Sequence, residues 1–491
     1  MRSSSYPSLV RRIIGATPFG QVRSADAEIH QLAVLRWIVG VVCIARTVPI
    51  LWASYYYFQP IRDGLPPEAF IDGLWTLALV VTVTLGFATP VTMPYLMYAY
   101  TEFDVSLGTV TLGTTFLCLL LGLFFLTGAG AQLSIDAWFL RARGPIGAIW
   151  RFLYSIVGVP SARQLRLVFL LSFAAYATMN FGALLFHLSD DAWLSGDLLR
   201  IVFTSSYLCR SWNMFRQLES FAPWAIGALS FTGSLGQVAF QGLMVPLLWT
   251  RWGARFVVAW GSVFFALSLG LLQLSYLPVL EILFWIALFH RPRPPAEPST
   301  AGMRSLERNA WVARIMIVGG FAVLTVFAAT NLPYTPDPTA LSAHVSNPMF
   351  RRVGLEIPYV FNRQDLRMGD HWAVIYRDGS SEPLPYHGLQ GERLSWVQWS
   401  DLFYFGNSLR WRRSFRGPGY LARDQDGFKY LLDVGRFDHR RRAAERSVYR
   451  IEYYATSGSN LNSPPELRFA RRLLATDSFV CTGRELSVTC E

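Results

Sequence analysis

Long apolar runs separated by short arginine-bearing segments fill the first two-thirds of the chain, and short alternating runs fill the rest. About 20 apolar residues are needed to cross a bilayer as a helix. Runs of that order lie at 31–57, 71–88, 164–187, 222–249, 256–275 and 311–331, with a shorter one at 277–290. The first closes on Tyr55, Tyr56, Tyr57 and Phe58, an aromatic belt of the kind that sits at a membrane surface. Residues 91–127 are too long for one upright helix and carry a polar break at Glu102 and Asp104. They read as a short span or re-entrant piece and then a full helix over 105–127, which brings the expected total to about nine crossings. The segment 196–218 has apolar residues at helical spacing with arginines opposite them, so it predicts one interfacial helix on the outer surface.

From about residue 335 the period changes. Runs such as HWAVIYRDGSSEPLP, GFKYLLDVGRFD and RSVYRIEYYATSG alternate like strands, Asp378-Gly379 and Asp426-Gly427 mark hairpins, and WSDLFYFGNSLRWRR reads as a helix between the first two. The predicted fold is an all-α polytopic membrane bundle followed by an α+β or mostly-β domain. The boundaries are 1–30 for a cytoplasmic segment, 31–331 for the bundle and 335–491 for the tail domain.

Charge orients this arrangement. With the N-terminus inside, Arg11, Arg12, Arg23, Arg141, Arg143, Arg151, Arg163, Arg166, Arg251, Arg255, Arg291, Arg293, Arg304, Arg308 and Arg314 fall on the cytoplasmic side, against Arg62, Arg200, Arg210 and Arg216 outside. The positive-inside bias then places the tail domain outside a plasma (inner) membrane. It also accounts for the net charge of +11 without nucleic acid as a partner. No cleavable signal peptide opens the chain, so the first apolar helix serves as the insertion signal. Cys481 and Cys490 flank a turn in FVCTGRELSVTC, and pairing of the two short runs predicts a disulfide, which needs an oxidising compartment.

Several chemistries are excluded. Lys429 is the chain's single lysine, so there is no P-loop, and neither HExxH, paired CxxC nor GxSxG occurs. The candidate site is FGALLFHLSDDAWLSGDLL over 181–199. There His187 lies beside Asp190, Asp191 and Trp193, and a histidine next to carboxylates at a low-dielectric boundary can shuttle protons. The ordinary alternative is a helix-end histidine with aspartates capping the next helix. Arg46, midway along the first span, requires a carboxylate or an anionic ligand, and Glu281 is the expected partner. Gln237 and Gln241 share a helix face, either as interhelical hydrogen-bond glue or as cavity lining.

HQLAVLRWIVGV with Arg36, QLSIDAWFLR with Ser134 and Asp136, ALLFHLSDDAWLSGDLL with Trp193 and Gly196, and MVPLLWTRWGAR follow one another between residues 26 and 290. In that order they resemble the horizontally transferred transmembrane domain family, the membrane module related to vitamin K-dependent gamma-carboxylase. The resemblance implies a membrane bundle acting on a lipid-soluble or peptide substrate, with a quinone as the cofactor it suggests. Carboxylase-type members carry a lysine ahead of the tryptophan motif, assigned to initiating quinone oxygenation. Here His187 or a neighbour holds that place, and Phe264 and Phe265 stand where many members have a histidine. The expected site is an outward-opening cavity in which His187 and Asp191 are catalytic and Arg46, Trp193 and Glu281 bind substrate, with no metal. The tail domain would meet an exported protein or peptide. A non-catalytic platform for maturing or assembling an exported factor is the alternative, and a transporter the third.

Overall fold

The computed structural model describes residues 24–58, 68–106, 112–189, 191–204, 211–272 and 276–292 of the helical part and 371–381, 446–456, 471–483 and 488–490 of the tail, with single residues between them such as Phe19, Cys209 and His439. The helices are α1 (Ala25–Phe58), α2 (Glu68–Leu85), α3 (Thr89–Ser106), α4 (Leu112–Thr127), α5 (Ile135–Arg141), α6 (Pro145–Val157) and α7 (Ala162–Ser189), then α8 (Asp191–Leu194), α9 (Asp197–Thr204), α10 (Trp212–Phe221), α11 (Pro223–Leu247), α12 (Arg251–Leu271) and α13 (Leu277–Phe289). A small four-stranded antiparallel sheet follows: β1 (His371–Arg377), β2 (Arg446–Thr456), β3 (Arg471–Thr482) and β4 (Thr489–Cys490), in that spatial order.

Among the described residues three helices are long and apolar enough to cross a membrane: α1, α7 and α12, over 24, 24 and 21 residues. At 1.5 Å per residue these reach about 30 Å or more, the thickness of a hydrocarbon core. Shorter apolar helices run over Ile71–Leu85, Leu112–Thr127 and Leu277–Phe289. Their outward faces are apolar as well: Val41 on α1, Leu235 on α11, and Trp252, Val263 and Leu267 on α12 are all more than half exposed. An all-helical array with hydrocarbon on its outside is built for lipid contact. α4 is the central element, since thirteen of its sixteen residues are buried, as an all-round apolar helix requires. Phe116 on α4 packs edge-on against Tyr176 of α7 and Phe284 of α13. Arg291 just beyond α13 reaches Glu28 at the start of α1, 3.3 Å away, and ties the ends of those helices together.

Eight of the expected apolar segments are helices here, and the ninth, 311–331, lies outside the described residues. Two expectations change. The segment 196–218 forms two helices, α9 and α10, because Cys209 between them makes an antiparallel backbone bridge to Leu272 after α12, which a continuous helix would forbid. The basic loop expected over 128–163, with Arg141, Arg143, Arg151 and Arg163, contains α5 and α6. Pro145 occupies the first turn of α6, and Ser134 caps α5 by accepting from the backbone N–H of Ala137.

A buried knot holds that connection. Asp136 accepts from the backbone N–H groups of Ala88 (2.6 Å) and Thr89 (2.8 Å), from Trp150 Nε1 (2.6 Å), and from the Thr89 and Tyr154 hydroxyls (both 2.8 Å). Arg36, fully buried, donates to the carbonyls of Ala129 and Leu133. Gly86 lets the two chains meet: its φ is +70°, and a Cβ there would lie 2.6 Å from Arg36 Nη1.

In the tail, the runs at 371 and 446 are strands as expected, with Ser447, Tyr449 and Ile451 on the buried face of β2 at period two. GFKYLLDVGRFD, read as a strand, is only partly described. Its described residues are helical, and Gly435 packs so closely under Phe479 that a Cβ would lie 2.4 Å from the ring. Beside it Asp438 accepts from Arg377 (2.6 and 3.0 Å) and Tyr449 (2.9 Å), and His439 bridges Ser447 and the Gly483 carbonyl. Cys481 and Cys490 face each other in the β3–β4 register, with sulfurs at disulfide distance. The expected helix at 399–413 and the turn at Asp426-Gly427 lie outside the described residues.

Candidate functional site

His187 occupies the last turn of α7 and is buried. Two contacts fix its ring. It stacks on Trp193 of α8 at 3.8 Å and 25°, and its Nδ1 lies 2.9 Å from Oε1 of Gln241 on α11. With the amide oriented this way, Nδ1–H donates and Nε2 carries the basic lone pair. Asp191 opens α8, two residues before Trp193.

The contact with Gln241 sets the level of the site. Gln241 is the nineteenth of the 25 residues of α11, and Leu184, a turn before His187, lies under Gly242. α7 therefore ends opposite the C-terminal third of α11, and the rest of α11 is flanked by α8 and α9 instead. Gly196, between those two helices, lies directly on the α11 backbone: its φ is +79°, and a Cβ would come within 2.5 Å of Phe231 Cα. Leu199 on α9 continues the contact beside Gly233.

Ser230, Ser234, Gln237 and Gln241 follow one another on α11 at spacings of four, three and four residues, so they form one stripe on one helix face. All four are at most 9% exposed. Gln241 is bonded to His187, whereas the hydroxyls of Ser230 and Ser234 and the side-chain carbonyl of Gln237 have no hydrogen-bond partner among the described residues. Each buried polar atom left this way costs about 1–3 kcal/mol. Asn180, on the His187 face of α7 two turns earlier, bonds back to the carbonyl of Tyr176.

The expected cavity resolves into separate clusters. His187, Trp193 and Gln241 belong together. Arg46 belongs elsewhere, and its carboxylate is Asp104 of α3 rather than Glu281. Nη2 lies 2.8 Å from Asp104 Oδ1, Nη1 donates to the Tyr100 hydroxyl at 2.9 Å, and the guanidinium covers the Tyr276 ring at 4.4 Å. Thr114 of α4 donates to the other Asp104 oxygen. The physical reason is helix geometry: Tyr100 and Asp104 are one turn apart on α3 and both face α1, which places an acceptor where Arg46 must look for one. Glu281 is buried on α13, one turn ahead of Phe284 and Trp285, which pack on Tyr176 of α7.

Ser230 and Ser234 were missed in the sequence, although their spacing to Gln237 was readable. Among the described residues no three His, Cys, Asp or Glu side chains gather as a metal site. Comparison with family models, with curated proteins and with solved structures yields no match to this chain.

Proposed function

We propose that this chain is a multi-pass inner-membrane protein whose bundle binds, and acts on, the polar part of a lipid-soluble or peptide substrate between α7, α8 and α11. The stripe on α11 carries the proposal: three buried polar atoms with no partner among the described residues run in line with the one residue of the stripe that holds His187. A ligand bearing hydroxyl, amide or carboxyl groups would satisfy them and recover several kcal/mol. His187, held in one tautomer by Gln241 and in one plane by Trp193, is the proton donor or acceptor of the site. Arg46 and Glu281 support the bundle from their own clusters.

The tail domain lies outside the membrane in this reading, supported by the arginine distribution and by a cysteine pair suited to an oxidising compartment. There it recognises an exported protein or peptide. The family resemblance supports a membrane module of the gamma-carboxylase-like type. It does not extend to quinone chemistry, because no lysine lies in the membrane part and the side chain in that place is a histidine already stacked on Trp193 and bonded to Gln241. The residues do not fit the carboxylase-type reaction.

Native mass spectrometry of the intact protein tests the proposal. The wild type should carry a small molecule or peptide that His187→Ala and Gln237→Leu both release, with circular dichroism unchanged. If both variants retain it, the α11 stripe is not the site. If function instead survives His187→Ala and is lost with residues 335–491, the bundle is a platform and the tail makes the specific contacts.

A further inference from the structure

The connection from α4 to α7 is folded unlike a water-facing loop. α6 buries Gly147 against Ala142 and Tyr154 against Thr89 and Asp136, and Ile146, Ile149 and Phe152 point the other way, from 49% to 64% exposed. Trp138 on α5 is 68% exposed. A patch of this kind is a liability in water, but it is the apolar face of a helix lying in a membrane interface.

Beside it, Trp37, Leu85, Leu133, Ser134, Ile135 and Trp138 line an open groove of about 530 Å³, within the range of sites for small ligands. Strain shapes this groove. Leu133 has φ +47°, a conformation that a branched apolar residue adopts only when its surroundings impose it. Here Arg36 Nη2 and Trp37 Nε1 both donate to its carbonyl, at 2.7 and 2.9 Å, and its side chain is left 46% exposed along the groove.

Charge selects what fills it. Arg141 follows Trp138 by one turn on the same side of α5, Arg143 follows two residues later, and both are exposed. Arg151 donates to the carbonyls of Leu140 and Ala142, which fixes the end of α5 between them. Asp136 is the only carboxylate from residue 128 to 161, and it is buried in its knot. A positive rim beside an apolar groove matches an amphiphile with an anionic head. We infer that α5 and α6 form a binding site for an anionic phospholipid, one acyl chain in the groove between Trp37 and Trp138 and the phosphate on Arg141 and Arg143. This requires the chain to lie in a bilayer, but not the ligand proposed for the α11 stripe.

The test uses the intact protein in a zwitterionic detergent. Phosphatidylglycerol, phosphatidylcholine and inorganic phosphate are titrated separately, and adducts are counted by native mass spectrometry. Phosphatidylglycerol should bind at least about tenfold more tightly than phosphatidylcholine. The double variant Arg141→Gln/Arg143→Gln should abolish that preference, and Trp138→Ala should weaken both lipids. These side chains are exposed, so melting temperatures should match the wild type, and a matching shift of both lipids' affinities with a lowered melting temperature would count against the site. Equal binding of the two lipids, a preference that survives the double variant, or saturation by phosphate alone would each overturn the inference.

Discussion

The Arg46–Asp104 pair permits a quantitative test because both members are almost fully buried, Arg46 at 4% exposure and Asp104 at 0%. Arg46→Met leaves the Asp104 carboxylate in the bundle with the Thr114 hydroxyl and no cation from α1, and it also removes the contact with the Tyr276 ring. Breaking a buried pair from one side costs about 3–5 kcal/mol, since the remaining charge is neither hydrated nor neutralised. Asp104→Asn should cost nearly as much, at about 3 kcal/mol, with the guanidinium left over an aromatic face. The double variant carries no charge at this site and should lose only about 1–2 kcal/mol, giving a coupling energy of about 4 kcal/mol or more. Unfolding in mixed micelles of rising dodecyl sulfate content, followed by tryptophan fluorescence, measures all four proteins. Single-variant losses that add to within about 0.5 kcal/mol in the double variant would refute the coupling. Single variants that fold like the wild type but lose a bound anion would make Arg46 a ligand residue after all.

Gly196→Ala should destabilise the bundle by about 2 kcal/mol or more and release the α11 ligand, since a methyl there meets the backbone of Phe231 and no side chain can yield; ligand retention with unchanged melting would contradict this. Asp136→Asn turns one of the two oxygens that five donors share into an NH2 group and leaves two or three of those donors without an acceptor, so unfolding free energy should fall by about 3 kcal/mol or more, while Tyr154→Phe, which deletes one donor, should cost about 1 kcal/mol in the same titration. Cys481→Ser, or reduction, opens a loop with a sequence separation of 9 and should lower the stability of the tail sheet by about 2–3 kcal/mol, read by hydrogen exchange across β3. No change in exchange would place the two sulfurs apart in the native protein.

The helix positions were readable because hydrocarbon-length apolar runs leave few alternatives, and the His187–Trp193 neighbourhood was readable because polar groups are rare in such runs. Partners were harder. Asp104 was taken as part of a polar break, whereas its spacing to Tyr100 is that of two groups on one helix face looking at Arg46. The amphipathic pattern of α6, with Ile146, Ile149 and Phe152 recurring every third residue, was present but hidden among arginines that suggested a loop. Leu432 to His439 alternates like a strand in sequence, but its described residues are helical where Gly435 passes under Phe479, a contact with a strand more than forty residues away. Local periodicity carries no information about such a contact.

The bridge between Cys209 and Leu272 joins the segment leaving α9 to the one leaving α12. Because that joint is made of main-chain hydrogen bonds, the end of α12 cannot shift relative to Cys209 without breaking them.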